Sequence, residues 1–216
     1  MPLQLKHRLQ HPSAVTIARL SSSDGTYCLS GCNDKLVRLW NSLKGTQVAE
    51  YSGHGWPIAD LCISPDNARF ATCGGDKQVF YWDVLEGVTL RRFSAHLQRV
   101  NAVAMNFDGS VVASGSFDTK VHLWDCRSLG YQPIQTLKDA KDSISSIQIV
   151  QHEILVGSVD GFFRIYDLRM AKMIEDFVGF PVTCASLSSD QQCVLVSSLD
   201  SSIRLFDKQN GTLLNT

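Results

Sequence analysis

The side chains that could do chemistry in this sequence come in sets. His96, Ser114 and Asp118 have the residue types of a base, a nucleophile and an orienting acid, the makings of a Ser-His-Asp triad. A second trio, His54, Thr72 and Asp76, stands upstream with the same His-to-Asp interval of 22 residues. An enzyme has no use for parallel triads, and no G-x-S-x-G nucleophile elbow is present. The repetition points to a structural role, so no catalytic residue is assigned. Phosphoryl transfer lacks its loop too, since no G-x-x-x-x-G-K-[ST] occurs and Gly74-Gly75-Asp76-Lys77 reads as a turn. The 7 cysteines are an odd number without a CxxC pair. Cys28 and Cys32 would share one face of an unbroken strand, near each other or a metal, yet no His or second cysteine pair completes a ligand set. Buried thiols in a reducing compartment are expected, with no disulfide framework, metal site or cofactor. Asn210-Gly211-Thr212 matches a glycosylation sequon and is expected to be a turn.

The elements that must position these groups repeat. An aromatic followed by Asp or Asn recurs as Trp40-Asn41, Trp82-Asp83, Trp124-Asp125, Tyr166-Asp167 and Phe206-Asp207, at intervals of 42, 42, 42 and 40 residues. Six residues before each aromatic stands Asp34, Asp76, Asp118, Asp160 or Asp200. Within a copy the periodicity is two: Lys35-Leu36-Val37-Arg38-Leu39-Trp40 and Thr119-Lys120-Val121-His122-Leu123-Trp124 alternate as strands with one buried face would. Val100 to Met105 reads as an opening strand, Val111-Val112-Ala113 as a second, and Thr89 to Phe93 as a closing one. Turn residues fall between them, as in Asp24-Gly25, Pro65-Asp66-Asn67, Asp108-Gly109, and Gly45, Gly87, Gly130 and Gly211 after the aromatics. No segment reads as a helix and no linker interrupts the chain. The expectation is one all-β domain over 1–216, with copies near 12–53, 54–95, 96–139, 140–179 and 180–216.

These copies resemble WD40 repeats, with their Gly-His opening, Trp-Asp closing and four strands per blade. The opening pair is Gly53-His54, then Ala95-His96, and Gln10-His11 in the first copy; the last two copies lack it. The resemblance implies a β-propeller in which His, Ser or Thr, Asp and Trp form a buried hydrogen-bonded tetrad. His54, Thr72, Asp76 and Trp82 match it fully, as do His96, Ser114, Asp118 and Trp124. His11, Ser30, Asp34 and Trp40 match it in part, with the His one residue further from its Asp. Val156 and Val196 replace the hydroxyl, and Tyr166 and Phe206 the indole, so blades four and five are expected to be held more by packing. The resemblance further implies that the five four-stranded blades belong to a seven-bladed ring, with Leu3 to Leu9 a strand awaiting the final blade.

Composition narrows the function. In 216 residues, 20 Lys+Arg against 21 Asp+Glu leave a formal charge of -1, which argues against direct nucleic-acid binding. No apolar stretch approaches the roughly 20 residues that span a bilayer, and no signal peptide opens the chain, so a soluble intracellular protein is expected. Strings such as Tyr51-Ser52-Gly53-His54-Gly55, Trp124-Asp125-Cys126-Arg127-Ser128 and Tyr166-Asp167-Leu168-Arg169-Met170 resemble the mitogen-activated protein kinase organizer branch of the family. That resemblance implies a non-enzymatic scaffold of nucleus and cytoplasm that binds several proteins, foremost pre-mRNA splicing factors such as a helicase or a G-patch protein. Kinase-cascade organisation is the alternative. Asp125-x-Arg127 and Asp167-x-Arg169 also resemble boxes that dock some WD40 proteins onto a cullin ubiquitin-ligase adaptor; the competing reading is an Asp-Arg pair pinning a turn. On the rim, Trp56, Gln98, Arg99, Asn33 and Phe117 are the candidate partner contacts, being of types that anchor interfaces.

Overall fold

Runs of β-branched and aromatic residues, cut by Gly, Asp and Asn at regular intervals, leave the chain little choice but short antiparallel strands. The computed structural model describes Leu5, residues 7–21 and residues 25–216. It holds five four-stranded antiparallel meanders. Blade 1 comprises β1 (Val15–Leu20), β2 (Tyr27–Cys32), β3 (Leu36–Asn41) and β4 (Thr46–Ser52). Blade 2 comprises β5 (Ile58–Ile63), β6 (Arg69–Gly74), β7 (Val79–Asp83) and β8 (Thr89–Phe93). Blade 3 comprises β9 (Val100–Met105), β10 (Val111–Ser116), β11 (Val121–Asp125) and β12 (Gln135–Leu137). Blade 4 comprises β13 (Ile144–Val150), β14 (Glu153–Ser158), β15 (Phe162–Asp167) and β16 (Lys172–Phe177). Blade 5 comprises β17 (Val182–Leu187), β18 (Cys193–Ser198), β19 (Ile203–Asp207) and β20 (Leu213–Asn215). No helix occurs among the described residues, and hence none long and apolar enough to cross a membrane.

Each first strand packs on the first strand of the next blade, β1 on β5, β5 on β9, β9 on β13 and β13 on β17. The cores lie between the sheets. Tyr51, Ile58, Leu61, Phe70 and Trp82 fill the space between blades 1 and 2, and Leu155, Phe163, Val194, Val196 and Phe206 that between blades 4 and 5. Each such side chain contributes about 1.5–3 kcal/mol by leaving water. The sheets approach closely because small residues sit at the contact: a Cβ on Gly115 would fall 2.4 Å from Ile144 Cγ2. The alternation in the third strands corrects one expectation. Both faces of β3, β7, β11 and β15 are buried: in β7, β11 and β15 the second face lies against the preceding blade, and in β3 Arg38 is held by Asp34 and Glu50 while His11 covers Trp40. Blade 5 shows what covers the other face: Leu195 and Ile203 are 47% and 59% exposed, while Leu155 and Phe163, at the corresponding positions of blade 4, are 0% and 1% exposed beneath blade 5.

Around the axis, polar side chains of one blade clasp the backbone of the next. Asp60 accepts the Val103 N–H at 3.0 Å, Asn101 Nδ2 donates to the Ile144 carbonyl at 2.8 Å, and Ser146 and Gln148 accept the Ala185 and Leu187 N–H groups. Burial raises the Asp60 pKa against these N–H bonds and the nearby Arg19. At the opposite ends of the third strands, Asn41, Asp83, Asp125, Asp167 and Asp207 each accept the backbone N–H two residues on, closing the turn into the fourth strand. That explains the second letter of the aromatic-Asp ladder. Asn210 likewise caps a turn, accepting from Thr212 N at 2.9 Å.

Residues Lys35, Lys77, Thr119, Gly161 and Ser201, each following the blade aspartate, adopt left-handed φ values of 73°, 63°, 69°, 86° and 65°. Of the stretch expected as a strand from Leu3 to Leu9, Leu3, Gln4 and Lys6 lie outside the described residues, as does Asp24 of the Asp24-Gly25 turn. Leu5, His7, Arg8 and Leu9 form no strand; instead His7 Nε2 meets the Leu43 carbonyl at 2.8 Å on the blade 1 turn. The seven cysteines are free thiols.

Candidate functional site

In blade 2 the tetrad forms one chain of hydrogen bonds. Trp82 Nε1, which can only donate, reaches Thr72 Oγ1 at 2.9 Å, and Thr72 Oγ1 lies 2.7 Å from His54 Nε2. The His54 Nδ1 to Asp76 Oδ2 distance is 2.6 Å. The donor order therefore runs from indole to hydroxyl to imidazole to carboxylate. Blade 3 repeats it with Trp124, Ser114, His96 and Asp118, at 2.8, 2.8 and 3.1 Å. Burial opposes ionisation of Asp118, but the Leu97 N–H and His96 outweigh it and hold its pKa below the usual carboxylate range. Burial lowers the His96 pKa, so its ring stays neutral. Thr72 and Ser114 are wholly buried, which closes either trio to a substrate.

His122 packs against His96, with ring centroids 4.2 Å apart, and burial with that neighbour pushes its pKa down to about 4. His96, Asp118 and His122 come close enough to be considered as metal ligands. The donor order argues otherwise: Trp124 and His96 share Ser114, so His96 Nδ1 carries the proton given to Asp118 and has no lone pair to offer.

The first blade departs from the expected partial tetrad. Trp40 still donates to Ser30 at 2.9 Å, but Asp34 turns to Arg38 Nη2 at 2.7 Å. His11 lies edge-on to Trp40 and 3.4 Å from Cys32 Sγ. The expectation that blades 4 and 5 rest more on packing is also corrected. Asp160 is held by Arg164, which is 1% exposed and also binds Glu175 at 3.1 Å, and Asp200 is held by Arg204. Arginine four residues after the blade aspartate thus replaces the missing histidine in blades 1, 4 and 5. Phe80 and His122 fill that position where the tetrad is intact, and pack at a tilt against the tetrad histidine. Burial opposes Asp160 ionisation, yet Arg164 and the Lys141 N–H hold its pKa below the usual range. The signal was present in sequence as Asp-x-x-x-Arg. Tyr166 uses its own hydroxyl on Asp139 at 3.1 Å, so Val156 has no indole to receive.

The rim candidates all lie outside the core. Trp56, between β4 and β5, is 62% exposed and rests over Gly75. Gln98 and Arg99 precede β9, and the Arg99 carbonyl accepts the Phe117 N–H while its guanidinium lies over the Phe117 ring. Asn33 donates its backbone N–H to Ala14 at the corresponding loop of blade 1. These five residues share the rim that carries the tetrad aspartates. At the other rim, Asp125 and Asp167 accept the N–H groups of Arg127 and Arg169, and both arginine side chains are exposed. Arg127 pairs with Asp108 at 3.1 Å, an exposed pair that adds little stability.

Residues 3–41, 45–83, 87–125 and 172–207 match the WD domain, G-beta repeat family. Strands β13 to β15, whose blade lacks both tetrad histidine and indole, fall outside those stretches. The chain is 64% identical over 191 residues to WD repeat domain-containing protein 83 of Rattus norvegicus, and 60% identical over 191 residues to that of Homo sapiens. Each match covers 88% of this chain and 61% of the relative. An uncharacterized WD repeat-containing protein of Schizosaccharomyces pombe is 58% identical over 192 residues, covering 89% of this chain and 65% of that protein. The chain spans less than two thirds of the length of these curated relatives. Five repeated four-stranded sheets, two complete tetrads and these matches together make the chain a member of the WD40 repeat family.

Proposed function

We propose that this propeller is a non-catalytic scaffold that gathers several proteins, as a component associated with pre-mRNA splicing complexes in nucleus and cytoplasm. The observation that carries the scaffold reading is the contrast between its chemistry and its surface. Every candidate catalytic group is sealed in a tetrad or an ion pair, while Trp56, Gln98, Arg99 and Phe117 stand exposed on a rigid rim. The splicing assignment is supported by the resemblance of the Tyr51 to Gly55 and Trp124 to Ser128 strings, and a helicase and a G-patch protein are the partners it suggests. Affinity purification of the intact protein from nuclear extract, with mass spectrometry, tests it. RNase-sensitive recovery of splicing factors is expected; recovery of kinases alone would replace this reading with that of a kinase-cascade scaffold.

A ligase-adaptor reading draws on the exposure of Arg127 and Arg169 at equivalent places in blades 3 and 4. The turn function of Asp125 and Asp167 is shared by all five blades, so only the arginines bear on it. Substitution of both arginines by alanine with adaptor pull-down decides the matter. Adaptor recovery equal to wild type removes this reading.

A further inference from the structure

The 42-residue spacing lets one seam between blades be laid against the next, residue by residue. Between blades 2 and 3 the seam is filled. Tyr81 of β7 is 1% exposed, its hydroxyl donating to the Gly109 carbonyl at 3.1 Å and accepting from Arg69 at 3.3 Å. On the same turn as Gly109, Asp108 is paired with Arg127 at 3.1 Å. Between blades 1 and 2 both devices are missing. Leu39 stands at the position of Tyr81, and Leu85, 94% exposed, at that of Arg127. Leu29, at the position of Ala71, recovers only part of the volume. A cleft of about 530 Å³ remains, walled by Tyr27, Leu39 and Val48 of blade 1 and by Ile63, Val84 and Leu85 of blade 2. Asp66, the counterpart of Asp108, is the one charged residue in its lining, and it forms no ion pair with any described residue. Its Oδ1 accepts from Ser64 Oγ and from the Ala68 N–H. Those bonds, with Arg69 as a lesser cause, hold its pKa below the usual carboxylate range, so the group is ionised at neutral pH.

We infer that this cleft is a binding site for a small aromatic amine, whose ring fills the space that the Tyr81 phenol fills in the next seam and whose ammonium group meets Asp66 as Arg127 meets Asp108. The two missing devices select the occupant. A ring alone leaves Asp66 unpaired, an aliphatic amine leaves the apolar walls bare, and an aromatic acid sets its charge against the carboxylate. Asp66 is exposed, so its ion pair adds little affinity, and most of the binding comes from the ring leaving water while the cation supplies selectivity. Tyr27 adds an aromatic wall to the same lining, a further attraction for a cation. The cleft has the size of small-molecule pockets. It lies towards the rim opposite the tetrad aspartates, apart from the residues on which the scaffold reading rests.

Tyramine is the probe, titrated into isotope-labelled chain while backbone amide shifts are followed. Para-ethylphenol supplies the ring without the cation, hexylamine the cation without the ring, and hydroxyphenylpropionate the ring with the opposite charge. Tyramine is expected to shift the amides of Tyr27, Leu39, Ala68 and Leu85, and to bind about three- to five-fold more tightly than para-ethylphenol and about ten-fold more tightly than hexylamine. Leu85→Arg, which restores the pairing seen in blade 3, and Asp66→Asn, which keeps the acceptor of its turn, should each bring tyramine down to the affinity of para-ethylphenol. Leu39→Tyr fills the cleft with the chain's own phenol and should abolish binding of both ring compounds. Melting curves confirm that each variant is folded; should Leu39→Tyr fail to fold, Leu85→Arg, at an exposed position, still decides. The inference is overturned by the absence of tyramine binding, by equal binding of hexylamine or of hydroxyphenylpropionate, by shifts confined to another surface, or by tyramine affinity unchanged in Leu85→Arg.

Discussion

At the residue scale, the five blade aspartates are pinned in two different ways, and the cost of removing them should differ accordingly. Asp160→Ala leaves Arg164 buried with only Glu175, and is expected to cost about 3–5 kcal/mol in denaturant unfolding. Asp118→Ala strands neutral or backbone donors and is expected to cost about 1–3 kcal/mol. Asp200→Ala, at a more exposed pair, should cost least; equal midpoints for the three variants would contradict this order. Acid sensitivity follows from the same groups. Asp118 and Asp160 have depressed pKa values, so their contribution is full above the ordinary carboxylate range and fades as pH falls through the folded values. His122 is held neutral, so the unfolded chain takes up a proton near 6.5 that the folded chain refuses until about 4, and stability declines across that window. His122→Phe, which borrows the residue of blade 2, should flatten the decline between those pH values in urea midpoints. The tetrads were legible because His, Ser or Thr, Asp and Trp stand at fixed spacing. The arginine pins were not, because Arg38 and Arg164 fall on the polar beat of an alternating strand, and alternation alone cannot distinguish water from an ion pair between sheets.

At the element scale, strand positions were readable where local chemistry sets them. Val100–Met105 and Thr89–Phe93 form β9 and β8 over the residues that their alternation marks. The N-terminal segment was read as a strand that waits for a final blade; its described residues meet no such edge in this chain, and His7 meets the Leu43 carbonyl on the blade 1 turn. The spacing between sheets depends on tight places that composition does not reveal. Gly115→Val would drive methyl groups into Ile144 and Ile147, and is expected to destabilise by about 1–3 kcal/mol through overpacking. The same substitution at Gly55, where a Cβ meets nothing within 4 Å, should be far milder. Comparable losses at the two sites in thermal unfolding would show that inter-blade distance is not set at Gly115.

At the scale of the whole molecule, each blade contacts its sequence neighbours, so stability should propagate along the arc as in a repeat protein. Removing a buried aromatic by Trp124→Ala in blade 3 is expected to cost about 3–5 kcal/mol and to speed amide exchange in blades 2 through 4. Phe206→Ala in blade 5 should leave the protection of blades 1 to 3 unchanged. Uniform loss of protection in both variants would mean that the sheets unfold as one unit. The number of blades was legible from a periodic aromatic, because a unit that cannot bury itself must repeat, but which surface meets a partner was not, because exposure is a property of the assembled rim. The left-handed residues bear on that rim as a set. Four of the five keep a side chain where glycine would be at ease, and Lys77 is among them. Lys77→Gly should therefore relax the backbone and leave melting unchanged or higher, so the side chain at this turn is carried at the expense of the chain's own ease.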